Sequence, residues 1–169
     1  MVKYKLKYID FINIKYNINK KFEGKLIDYT YNGDILEFQT PKVIIENMYN
    51  QNGKEYIVLK LSNTEACNLF YSKLLELEMT HNRFAISIHK TFKIKPIFDK
   101  DFFTVKVPFH YSKPSIKVYY DNKLFNYYSL QKGMEIICNL TTNKLWISEE
   151  ITFNLNIKEI LIINLNKIL

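Results

Sequence analysis

The chain has 169 residues, 47% of them hydrophobic, with a net charge of +7 and two cysteines. That length and apolar content suffice for one domain with a full core, while no window of about 18 uncharged apolar residues is present to span a membrane. The start MVKYKLKYIDF interleaves charges too closely for a signal-peptide apolar region, so an intracellular protein is expected, with Cys67 and Cys138 as buried free thiols.

The predicted elements begin with a strand over Tyr8 to Tyr16, where Ile9, Phe11, Ile12, Ile14 and Tyr16 supply the apolar positions. Strands follow over Lys25 to Tyr31 and Ile35 to Ile45, with Pro41 forcing an edge or a bulge because it cannot donate to a ladder. Residues 1–34 read as an N-terminal strand extension of a single β-rich domain spanning 1–169. Asn52-Gly53 is the strongest hairpin signal, since both residues tolerate the positive φ of a type I′ turn; it joins VIIENMY to EYIVLKLS. Next comes one amphipathic helix near Asn63 to Met79. Ser62 and Glu65 have the form of a capping box there, and Ala66, Leu69, Phe70, Leu74 and Leu77 form an apolar stripe. From Ser115 to Ile162 five short strands follow in SIKVYY, LFNYYS, GMEIICNL, KLWIS and ITFNLNIKEILI, separated by Asp121-Asn122, Lys132-Gly133, Thr142-Asn143 and Glu149-Glu150. The expected fold is mainly β: an antiparallel barrel or sandwich with one inserted helix, similar to the five-stranded oligonucleotide-binding barrel.

Signals for catalysis are weak. His81, His89 and His110 show no metal-ligand spacing, and the four glycines build no phosphate-binding loop or nucleophile elbow. Glu149-Glu150 and Asp99/Asp101 read as solvated turn acids. No enzyme activity, metal or cofactor is expected.

Charge is distributed unevenly. Lysine occurs 23 times and arginine once, at Arg83; the abundant Lys, Ile, Asn, Tyr and Phe all have A/T-rich codons, so an A/T-biased genome would raise the total without selection for nucleic-acid binding. The segment Arg83 to Lys117, however, holds eight basic residues against two acidic ones. In it, Lys93 and Lys95 share one face of a strand, and Phe92 and Ile94 share the other. Such a row is either a solvated edge or a track for phosphates. On the second reading Lys90, Lys93, Lys95, Lys106 and Lys113 bind single-stranded nucleic acid, DNA in preference to RNA, and exposed aromatics such as Tyr111 and Trp146 stack on bases. A lone Trp in a small β-domain is more often a core residue, and that reading of Trp146 stands ahead of stacking. Scarcity of arginine argues against bidentate base readout and for sequence-tolerant binding. The rival reading is a structural or assembly subunit, in which strands such as IIEN and EILIINL pair with other copies and the apolar C-terminus makes a homo-oligomeric contact.

The runs ILEFQTPKVIIENMY, FYSKLLELE and FFTVKVPF, and above all SIKVYYDNKLFNYYSLQKGMEIICNLTTNKLWISEEITFNLNIKEILI, resemble a family of small proteins from nucleocytoplasmic large DNA viruses. The resemblance covers about Ile35 to Ile162 and matches Gly133 to the turn before the long barrel strand and Trp146 to a strand aromatic. Through it the chain is also similar to phage-type single-stranded DNA-binding proteins. This implies a viral, replication-associated protein working in the host cytoplasm or a viral replication compartment. One departure stands out: the phage type carries an acidic C-terminal tail, whereas this chain ends EILIINLNKIL.

Overall fold

The computed structural model describes residues 6–18, 25–88 and 93–165. Its strands are β1 (Ile14–Ile18), β2 (Leu26–Tyr31), β3 (Leu36–Gln39), β4 (Val43–Gln51) and β5 (Lys54–Lys60), followed by the helix α1 (Glu65–Ile88). After it come β6 (Lys93–Ile94), β7 (Phe98–Asp99), β8 (Phe102–Val107), β9 (Phe109–His110), β10 (Lys113–Pro114), β11 (Lys117–Tyr120) and β12 (Lys123–Leu124). The chain closes with β13 (Glu135–Thr142), β14 (Lys144–Ile147), β15 (Glu150–Phe153) and β16 (Asn156–Asn164).

Five of these strands form a closed barrel. β4 pairs with β5 and β5 with β8, both antiparallel; β8 pairs with β16 in parallel; β16 and β4 each pair with β13 antiparallel. Strand alternation sends Val43, Ile45, Ile57, Leu59, Phe103, Val105, Ile136, Cys138 and Ile160 inward, where all are essentially inaccessible. A second sheet, in the order β1-β2-β14-β15-β6, lies beside the barrel and is built from the N-terminal strands, the long connection between β13 and β16, and β6, which follows the helix.

Pro41 splits the predicted Ile35 to Ile45 strand into β3 and β4, and Thr40 repairs the ladder beside the break. Its N–H donates to Cys138 O, and its hydroxyl accepts from Cys138 N–H at 2.9 Å. Cys67 and Cys138 are both buried and free.

The helix is present but longer than predicted, because His81 and Ala85 continue the buried stripe of Cys67, Phe70, Leu74 and Leu77 past Met79. Thr64 caps it by accepting from Cys67 N–H at 3.1 Å, whereas the predicted cap Ser62 lies two residues early. Ala66 and Leu69, placed on the stripe by spacing, face out. The first half of α1 packs Phe70 against Phe38 and Phe103 of the barrel, and the second half packs His81 against Tyr29 and Phe153 of the second sheet.

Two predicted strands are corrected. Tyr8 to Tyr16 becomes two 3-10 turns, Leu6–Tyr8 and Phe11–Asn13, before β1, because the Asp10 carboxylate accepts from Ile12 N–H and caps the second turn. LFNYYS contributes only the end of β12 and then a 3-10 turn at Tyr127–Ser129, capped by Asn126 accepting from Tyr128 N–H at 2.9 Å. The strands picked out for pairing between copies are also occupied within the chain: β4 lies between β13 and β5, and β16 between β11 and β13. Among the described residues, no helix is long and apolar enough to cross a membrane.

Candidate nucleic-acid interface

The β4–β5 hairpin turns on Asn52-Gly53, whose φ values of 54° and 75° fit the type I′ turn that the pair predicts. A two-residue turn fixes the register, so Tyr49 sits opposite Tyr56 and Gln51 opposite Lys54. Both tyrosines point away from the barrel core. Their rings stack at 5.2 Å between centroids and 21° between planes. On the neighbouring strand the register pairs Tyr56 with Lys106, which extends this outward row across β8.

These residues form the floor of a groove of about 360 Å³, walled by Lys95, Pro96 and Ile97 on one side and by Thr152 to Leu155 at the far end. The wall is fixed from behind: Lys95 N–H donates to Ile151 O at 2.8 Å, and Ile97 N–H donates to the buried carboxylate of Glu78 in α1. Burial raises the Glu78 carboxyl above the usual carboxylate range, and the bond to Ile97 opposes that shift. Losing a bond to a charged acceptor costs about 1.5–3 kcal/mol. In Glu78→Ala the Ile97 amide is therefore expected to exchange with solvent roughly ten- to a hundredfold faster, with Glu78→Gln protecting it. Equal exchange in parent and Glu78→Ala, read by NMR, would remove Glu78 from the wall.

The groove is cationic at this end. Burial, and next the charge of Lys54, lower the Lys106 pKa. Among the described residues, Lys54, Lys95 and Lys106 make no ion pair with a carboxylate. A partly desolvated ammonium group in the groove, Lys106, with the exposed and equally uncompensated Lys54 near it, favours a bound anion. Toward Phe102 the floor continues past Asn47, Val58 and Thr104 into a region that also holds Glu46 and Asp99, with Lys132 paired to Glu46 at 3.4 Å. Negative charge there disfavours a polyanion.

No family model and no curated protein matches the chain by sequence. Among solved structures, it is similar to the crystal structure of gp2.5, a single-stranded DNA-binding protein encoded by bacteriophage T7. The TM-score is 0.57 at 10% identity, over 78% of this chain and 93% of that one. The fold is an oligonucleotide-binding-like barrel. In such barrels the outer face of the second and third strands, with the loops joining strands one to two and four to five, is the usual ligand surface. Here those strands are β5 and β8, and those loops are the Asn52-Gly53 turn and the β14–β15 insertion.

The structure brings together three of the sequence-predicted residues. Lys95 and Lys106 line the groove, and Trp146, 40% exposed on β14, lies opposite Thr152 of the groove wall, about 5 Å away by cross-strand geometry. Lys93 stands apart on β6, in register with Glu150, whose charge opposes its own. Lys113 and Tyr111 belong to the separate β9–β10 hairpin. Lys90 lies outside the described residues.

Sequence reasoning missed Tyr49, Tyr56 and Lys54. Counting outward from the Asn52-Gly53 turn would have paired the two tyrosines on one face.

Proposed function

We propose that this chain is a sequence-tolerant single-stranded DNA-binding protein, viral and replication-associated, working inside the infected cell and without enzymatic activity. The observation that carries this reading is the groove: two lysines without acidic partners, Lys95 and Lys106, beside a stacked tyrosine pair, on the face that oligonucleotide-binding barrels use for ligand. The strand crosses Tyr49 and Tyr56, passes Lys106 and Lys95, and leaves over Thr152 toward Trp146, away from Glu46 and Asp99. Lysines hold phosphates as point charges and the rings accept any base face, which is the chemistry of sequence-tolerant binding. The likeness in fold to gp2.5, a phage-encoded single-stranded DNA-binding protein, supports the single-strand-binding and viral part of this reading.

The test is titration with oligo-dT, oligo-rU and duplex DNA over a range of salt. Single-stranded DNA is expected to bind tightest. Changing Lys95 and Lys106 together to Gln should weaken binding equally for all single-stranded sequences and reduce the slope of log affinity against log salt by roughly 0.7 per lost phosphate contact. Absence of oligo-dT binding at low salt, or an unchanged affinity in the double variant, would shift the weight to an assembly subunit.

A further inference from the structure

Four tight turns in the described residues place two successive residues at positive φ: Asn32-Gly33, Asn52-Gly53, Asp121-Asn122 and Tyr111-Ser112. Three use the residues that tolerate this conformation. The fourth puts a tyrosine at φ 49° and a serine at 63°, at the two-residue turn of the β9–β10 hairpin. For a bulky side chain that backbone is strained by about 1–2 kcal/mol. The strain is not offset by burial: Tyr111 is 88% exposed, with His110 edge-on against it at 4.1 Å.

The hairpin that carries this ring is tied to the barrel at its base. Ser115 closes its base through its N–H and hydroxyl, both donating to Pro108 O, at 2.9 and 3.2 Å. Phe109 packs edge-on against Tyr127, whose hydroxyl donates to Glu55 of β5 at 2.7 Å. The hairpin forms a two-stranded sheet of its own, and it leaves the barrel two residues after Lys106, at the end where Glu55 pairs with Val107. Its charge points to one class of partner: residues 102–120 contain Lys106, Lys113 and Lys117 and no acidic residue. A groove encloses the bases of a single strand, but a convex tip offers one free ring face. The matching flat surface on DNA is the end of a duplex.

We propose that this hairpin is a finger that recognises a junction between single-stranded and duplex DNA, Tyr111 stacking on the terminal base pair while the adjoining single strand occupies the groove. The inference rests on the single-strand-binding reading above and adds a second contact to it. Its test compares three probes: oligo-dT, a DNA hairpin with a dT overhang of the same length, and the blunt hairpin. The parent is expected to prefer the tailed hairpin over oligo-dT by roughly fivefold or more, the lower end of one base-stacking contact. Tyr111→Asn, which tolerates the turn, should abolish that preference, leave oligo-dT affinity unchanged, and keep or raise the melting temperature. Oligo-dT binding without a junction preference, or a preference that survives Tyr111→Asn, overturns the finger alone. Equal losses on oligo-dT and the tailed hairpin would make Tyr111 an ordinary single-strand platform. A change in sedimentation mass on Tyr111→Asn would make the tip a contact between copies. If the parent binds no oligo-dT, both readings fall.

Discussion

Replacing Tyr49 and Tyr56 together with alanine is expected to weaken binding of oligo-dT by roughly 5- to 150-fold, equivalent to about 1–3 kcal/mol for one stacked base. The loss should reach the upper end if each ring holds its own base. The two rings are parallel to within 21°, and register holds them against Lys106 on the next strand, so base and phosphate sites are set at a fixed spacing. Affinity should fall with no change in salt slope, because the lysines that displace counterions remain. Stability should change much less. A cross-strand aromatic pair on a solvent-facing surface is worth about 0.2–1 kcal/mol. Tyr→Phe at either position keeps the ring face and should keep most of the affinity. A double alanine variant that binds as the parent does, or one that loses salt slope together with affinity, would mean that the strand does not cross this face.

The barrel was legible in the sequence because its information is local. Asn52-Gly53 specifies a turn of known length, the register follows, and alternation along EYIVLKLS assigns Ile57 and Leu59 to the core. Errors arose where one polar side chain redirected the backbone. Asp10 turned an apolar run into 3-10 structure, and Asn126 did the same to LFNYYS. The helix end was missed for a related reason. His81-Asn82-Arg83 looks polar, but the aromatic surroundings of His81 come from β1, β2 and β15, far away in sequence.

The candidate site was legible only in part. Lys95 and Lys106 stood out within a basic segment, yet so did Lys93 and Lys113, which lie elsewhere. What separates them is not local. Lys93 meets Glu150 because β6 pairs in parallel with β15, and Lys106 meets Tyr56 because β8 lies against β5 across the whole helix. Charge counting selects a segment of chain; sheet topology selects which of its charges face one groove.

Acidification should unfold this protein through one histidine. His81 is completely buried, with its Nδ1 2.7 Å from the Tyr16 hydroxyl and its Nε2 without a hydrogen-bond partner, between the rings of Tyr29 and Phe153 at 4.5 and 4.6 Å. Charging the imidazole would place an uncompensated cation there, so burial lowers its pKa from 6.5 to about 3. Between those two values the unfolded chain binds one proton more than the native one, so stability is complete above pH 6.5 and falls as pH drops toward 3. The slope reaches about 1.4 kcal/mol per pH unit and the total loss is on the order of 4 kcal/mol, a large share of a typical domain's stability. Glu78 works in the opposite sense, since burial raises its pKa and the native state holds that proton longer than the unfolded chain does. Urea unfolding of the parent and of His81→Asn across this range separates the two: the variant begins less stable at neutral pH because packing is lost, but its acid slope should be much shallower. Equal slopes would sink the assignment. The consequence reaches the groove, because His81 packs on Phe153 and Glu78, three residues earlier on α1, holds Ile97. The second half of the helix thus supports both groove walls, and loss of His81 packing in acid should release oligo-dT before the barrel itself unfolds.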